Sequence, residues 1–178
     1  MRAQDSIDFR TIDWTAVDRE KAEFIYRDAL EFNRGILENI NVINDKAMGL
    51  LSFTMPIMAA LVGFFVVSWA NTSASLFAAA VTACAALCLV LIFLLVVIVP
   101  YGIHSGTGSP MAYFTAEFYK GSMKALLIGN IMTLCDKITA NQKILYLRGY
   151  LLKIAVLLCA LSPFVCLMVF WLSHYLEN

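Results

Sequence analysis

Asp45, Lys46, Asn141, Lys143 and Arg148 are the residues of this chain best suited to chemistry, and the chemistry they suit is the binding of an anion. Arginine offers a planar fork of parallel N–H donors to a phosphate, and lysine adds a compact charge. Asn141 and Arg148 fall on an otherwise apolar helical stripe, where a polar group costs free energy unless it is paired. A seam asparagine also sets helix register, and an arginine near a membrane surface also snorkels. Depth links these residues: Asp45 and Lys46 stand at the membrane boundary of one expected helix, and Lys143 and Arg148 stand at a similar level on another.

Other chemistries find little support. The sequence has no HExxH, GxSxG, Gly-rich phosphate loop or HxE…CxxC pattern. His104 and His174 are isolated, and the five cysteines show no CxxC spacing, so they read as small buried hydrophobes. The chain is expected to be neither an enzyme nor a cofactor carrier. Its formal net charge is zero, so the total says nothing about nucleic acid, and no nucleic-acid partner is expected.

What must position these residues is a membrane. From Ala47 to Ala116 there is no Asp, Glu, Lys or Arg, a run of about seventy residues in a chain of 178. An apolar stretch of about 18 residues or more can cross a hydrocarbon core of about 30 Å as a helix. Three spans are expected, at 48–69, 76–99 and 151–172, the second stopping at Pro100 and the third ending near Trp171 and Tyr175. The turn 71–75 joins the first two. Charged residues fill the first 46 positions, so the first apolar segment lies too far in to be a cleaved leader.

Basic residues set an orientation. Arg2, Arg10, Arg19, Lys21, Arg27, Arg34 and Lys46 precede span one, and Lys120, Lys124, Lys137, Lys143, Arg148 and Lys153 precede or open span three. The first turn and the tail after Leu172 have no Lys or Arg. Positive residues stay inside, so the N-terminus and the middle segment are expected in the cytoplasm and the C-terminus outside. The organisation is then 1–46, a cytoplasmic helix; 47–100, a hairpin of two membrane helices; 101–150, a cytoplasmic loop and helix; and 151–178, the third membrane helix and a short external tail. The fold class is an all-α membrane protein with three transmembrane helices and long cytoplasmic helical extensions.

The extensions carry heptad-like stripes. The first is read as Ile25, Ala29, Phe32, Ile36, Ile40 and Ile43, continuing into Ala47 and Leu50. Asp13 or Thr15 is expected to cap it, Thr15 with Asp18 resembling a capping box. The second is Leu127, Ile131, Leu134, Ile138, Asn141, Leu145, Arg148 and Leu152, with a bend expected at Gly149. A Gly- and Ser-rich loop (102–110), an aromatic stretch (111–119) and a break at Gly121-Ser122 come before it. Each stripe is expected to run unbroken into its span, the two lying parallel, and two such seams invite a homo-oligomer. Ser75, Ala79 and Ala83, and likewise Ala59 and Gly63, would let helices approach closely. Pro56 and Pro163 each remove one helical hydrogen bond, and Ser52, Thr54 and Thr82 are placed to satisfy freed backbone groups or to line a water path. No ionisable group lies at mid-membrane and no inverted repeat is visible, against a proton relay or ion-coupled transporter.

Two runs resemble the Pycsar transmembrane effectors. Asn39-Ile40-Asn41-Val42-Ile43-Asn44-Asp45-Lys46-Ala47-Met48-Gly49-Leu50-Leu51 is similar to the family's "NI…aD.KA..LL" motif. The run from Asn130 to Ile138, with Lys143 and Leu147-Arg148, looks like its basic return helix. The resemblance covers the chain from about Phe32 onward. It implies an antiphage effector of the bacterial inner (plasma) membrane. A neighbouring nucleotide cyclase would supply a cyclic pyrimidine mononucleotide, cCMP or cUMP, on infection, and the effector would impair the membrane. Asp45 and Lys46 match the first motif, and Lys143 and Arg148 the second. A cyclic-nucleotide-binding β-roll is missing, so either the helical bundle senses the messenger or the sensor lies elsewhere. The alternatives from the residues alone are a non-enzymatic scaffold docking a cytoplasmic partner and a small channel subunit.

Overall fold

A computed structural model describes residues 13–68, 72–99, 102–104 and 121–177. Three α-helices account for nearly all of them: α1 (Arg19–Ser68), α2 (Ala74–Ile98) and α3 (Met123–Glu177). Among the described residues there is no strand. The aromatic stretch 111–119, most of the loop 102–110, Trp69, Pro100, Arg2, Arg10 and Lys120 lie outside them.

The lengths carry the architecture. α1 has 50 residues and α3 has 55, about 75 and 80 Å at a rise of about 1.5 Å per residue. A bilayer takes up about 30 Å of that, so each helix has one apolar part and one that stands in water. α2 has 25 residues, enough for one crossing. All three are long and apolar enough to span a membrane. In lipid no water is present to satisfy a broken backbone, which is why the apolar run is helical.

α1 starts at Asp18, not at Thr15. The Asp18 carboxylate accepts from the Lys21 amide at 2.7 Å, and its carbonyl accepts from Ala22 at 3.0 Å, as an N-cap does. Asp13 instead caps a short 3₁₀ turn (Trp14–Ala16) through the Thr15 amide at 3.0 Å. These bonds hold both carboxyls below their usual pKa: for Asp13 the Thr15 hydroxyl leads, and for Asp18 the Lys21 amide. α2 starts at Ser73, whose hydroxyl accepts from Leu76. α3 starts just after Ser122, whose hydroxyl accepts from Ala125 at 3.2 Å.

The contacts divide into two compact units, 1–39 with 101–145 and 40–100 with 146–178. In the first, Ala22, Ile131 and Cys135 form a buried cluster, joined by Trp14, Val17, Ile25, Tyr26 and Leu127. Lys124 closes it by donating to the Thr15 carbonyl at 3.2 Å. In the second, Ala47, Val90, Leu94, Val97 and Ala155 are fully buried, with Ile43, Leu50, Phe93, Leu151 and Leu158 against them. The buried residues of α2 recur at steps of three and four (Leu87, Val90, Leu94, Val97), one face of a helix. In the first unit, Ala22 clusters with Ile131 and Asn33 meets Asn141. In the second, Asn44 meets Arg148 and Ala47 clusters with Ala155. The numbers rise together, so within each unit α1 and α3 run parallel.

The second stripe is buried as the sequence predicts: Ile131, Leu134, Asn141 and Arg148 are all interior. The first departs at one position. Phe32 is 54 % exposed and its neighbour Asn33 takes the inner place. Ala29 to Asn33 to Ile36 steps by four and three, as admissible on a helix as the three and four through Phe32. α3 continues through Gly149 without a break; a Cβ there would meet Ile43 Cδ1 at 3.6 Å. A Cβ on Gly63 would meet nothing within 4 Å among the described residues, so no close helix approach is seen there. Ser52, Thr54 and Thr82 bond carbonyls one turn back, at Met48, Leu50 and Ala78. None of these is a carbonyl that a proline frees. Ser162 does that work: its hydroxyl donates at 3.0 Å to the Cys159 carbonyl, which Pro163 leaves without an amide.

Candidate functional site

Asn141 and Arg148 lie on one face of α3, each at the centre of a buried polar node. Asn141 is fully buried in the first unit. Its Nδ2 donates to Asn33 Oδ1 at 2.9 Å and to the His104 carbonyl at 2.8 Å, and its Oδ1 accepts from the His104 amide at 3.0 Å. The carboxamide thus pairs with both backbone groups of one residue, as an adjoining strand would. Gly102, at φ 71°, supplies the left-handed turn that leads into it. The cost of burying an amide is met by three bonds, which is why an asparagine is tolerated among Leu134, Ile138 and Leu145.

Arg148 is 4 % exposed in the second unit. Its Nη1 donates to Asn44 Oδ1 at 3.0 Å and its Nη2 to the Val99 carbonyl at 2.6 Å. Val99 caps the C-terminus of α2, where carbonyls lack intrahelical partners and the helix dipole favours a cation. A guanidinium stays charged even when buried. The ion pairs among the described residues are Lys21–Asp18, Arg27–Glu23 and Arg34–Glu38, all on the surface of α1. Among the described residues Arg148 therefore has dipoles around it and no carboxylate, so none of them cancels its charge.

The other sequence-predicted residues are at the surface. Asp45 and Lys46 are exposed on α1 in the second unit, and Lys143 is exposed on α3 in the first. None of them is in an ion pair among the described residues. Sequence reasoning missed Asn33, Asn44 and the backbone of Val99 and His104. A signal for Asn33 was present: it lies at a permitted step on the first stripe, opposite an unexplained asparagine on the second. Among the described residues no group of His, Cys, Asp or Glu is arranged to hold a metal.

These features define a class: an all-α membrane protein whose aqueous and apolar parts share two long helices, with buried polar nodes. The sequence model of the Pycsar effector protein domain matches residues 29–174. The chain belongs to that family, and is a Pycsar antiphage effector tied to a membrane and to cyclic-nucleotide signalling. The matched segment contains every residue of both nodes and omits Trp14, Val17, Ala22, Ile25 and Tyr26. No curated protein and no solved structure matches the chain.

Proposed function

We propose that this effector lies in the bacterial inner membrane as a homo-oligomer, senses cCMP or cUMP, and responds by impairing membrane integrity without catalysing a reaction. The N-terminus is cytoplasmic and the C-terminus outside in this reading, which the distribution of Lys and Arg supports. Asp45, Lys46, Asn141, Lys143 and Arg148 are the proposed ligand contacts. Lys46 and Lys143 are exposed and meet a phosphate at no cost in existing bonds. Asn141 has both amide donors engaged and meets one only by giving a bond up, whereas Arg148 has two of its five donors engaged among the described residues.

The observation that carries the reading is that Arg148, buried, has only uncharged acceptors among the described residues. A phosphate competes well for a guanidinium held only by an amide oxygen and a carbonyl. When it wins, the Val99 carbonyl loses its donor and the end of α2 loses its hold. A ligand shifts a conformational equilibrium only by its differential affinity for the two states, and this exchange of partners supplies such a difference.

The test is dye release from liposomes holding the full-length protein, with cCMP, with cUMP and with neither. Release on addition of one nucleotide, blunted in Lys143→Gln and lost in Arg148→Glu while the protein stays inserted, is the expected result. Release indifferent to both nucleotides would remove the sensing claim. A scaffold reading draws on Phe24 and Phe32, 72 % and 54 % exposed on the aqueous part of α1. A stoichiometric partner recovered from membranes, with no release under any condition, would favour it.

A further inference from the structure

We infer that the outward face of α3 where it enters the membrane is a binding surface for anionic phospholipid headgroups, formed by Tyr146, Tyr150 and Lys153. Tyr146 and Tyr150 are 62 % and 64 % exposed, Leu147 between them is 58 % exposed, and Lys153 is exposed one turn further on. At about 100° per residue Tyr146, Tyr150 and Lys153 share one side of the helix, Leu147 flanks it, and the buried Arg148 and Ala155 hold the other. Beyond Lys153 the same side turns wholly apolar with Leu157, Leu161 and Phe164, all exposed.

The level of this face follows from a second aromatic pair. Trp171 and Tyr175 are 69 % and 81 % exposed near the other end of α3. From Tyr150 to Trp171 a helix rises about 30 Å, the thickness of a hydrocarbon core. Aromatic side chains of this type mark the two headgroup regions. The pairs differ in charge. No Asp or Glu occurs between Asp136 and Glu177, and the first pair has Lys153 beside it, whereas no Lys or Arg follows Lys153. Arg148, turned inward, cannot serve the headgroups, so the lysine does: its aliphatic stem lies along the apolar face and its ammonium reaches back to a phosphate. A basic residue at an anionic surface favours it about fivefold.

The inference needs the membrane and no nucleotide, so its failure is separate from failure of the sensing claim. Full-length protein is placed in phosphatidylcholine vesicles with a small fraction of photoactivatable phosphatidylglycerol or photoactivatable phosphatidylcholine. Crosslinks are then mapped by mass spectrometry. The expected result is a severalfold preference for phosphatidylglycerol at 146–153 and none at 171–175. Lys153→Gln should bring the first segment to parity, Lys153→Arg should keep the preference, and unchanged labelling at 171–175 shows that the variant is inserted. Equal labelling by the two lipids at 146–153, or a preference that survives Lys153→Gln, overturns the inference. Loss of the preference on adding inorganic phosphate would mean a site for a free anion and would overturn the lipid assignment.

Discussion

Replacing Asn141 by leucine tests the polar node most directly, because leucine keeps the branched outline of asparagine, with methyl groups in place of the amide oxygen and nitrogen, and removes its hydrogen bonds. The three bonds lost, at 2.8, 2.9 and 3.0 Å, are worth about 1 kcal/mol each. The variant should therefore lose about 3 kcal/mol of local stability, more if the stranded His104 amide and carbonyl find no water. Asn33→Leu removes only the 2.9 Å bond and leaves the clasp on His104 whole, so it should cost about 1 kcal/mol. Hydrogen exchange of the His104 amide, measured with residue resolution on the full-length protein in detergent, reads the difference. Exchange should quicken about a hundredfold in Asn141→Leu and less than tenfold in Asn33→Leu, since about 1.4 kcal/mol is one decade. The two variants should also couple when combined, because they share a bond. Equal exchange in native protein and Asn141→Leu would refute the clasp, and equal effects of the two variants would refute the arrangement of its bonds.

Three further outcomes follow from the packing. Ser162→Ala should cost about 1 kcal/mol while Pro163 is present and less in a Pro163→Ala background, where an amide again reaches the Cys159 carbonyl; a thermodynamic cycle in detergent that shows no coupling would exclude the compensation. Phe32→Ser should stay within about 0.5 kcal/mol of the native protein, whereas Ile36→Ser, at a 5 % exposed position, should be severely destabilising; the reverse order of melting temperatures would restore Phe32 to the seam. Asp18 has its folded pKa lowered, first by the Lys21 amide. Its contribution to the start of α1 is thus complete above the unfolded value of about 3.9 and is lost as pH falls through the lower folded value. Helicity of the aqueous part should drop across that range and become insensitive to it in Asp18→Asn.

What could be read in advance was what depends on solvent. A charge-free run has one solution in lipid, so the three spans, and the continuity of α1 and α3 beyond them, were legible. The stripe through Ile131, Leu134, Asn141 and Arg148 was legible because its steps admit one choice. The stripe of α1 admits two at Phe32 and Asn33, and apolarity favours the phenylalanine. The chain takes the asparagine because Asn141 satisfies it, a reason that lies 108 residues away. The same holds at Ser162, Asn44 and Val99: a hydroxyl beside a proline is visible in a sequence, but the carbonyl it meets, or the arginine that meets an asparagine, belongs to the fold. For Asp45, Lys46 and Lys143 the sequence marks charge and depth, and exposure now shows that they are open to solvent.

The two nodes differ in what an anion does to them, and this bears on how the protein would switch. Asn141 has one donor and its acceptor engaged with the His104 backbone and its other donor with Asn33, and a phosphate offers only acceptors. It can replace the His104 carbonyl or Asn33 but not the His104 amide, so an Asn141 that turns away to meet it strands that buried donor, which is costly. Arg148 offers donors alone, and both of its described acceptors are uncharged. A phosphate can take the place of either with a gain in charge assistance and leave behind only oxygen atoms. Of the two buried polar residues, the arginine is the one whose present bonds are the weaker competitors. Arg148→Lys sharpens the point: it preserves the charge yet cannot grip Asn44 and Val99 with a planar fork. If nucleotide acts by drawing this cation from Val99, the lysine variant should release dye with less nucleotide than the native protein needs. A variant that needs more would place the ligand's grip, rather than the release of α2, in control.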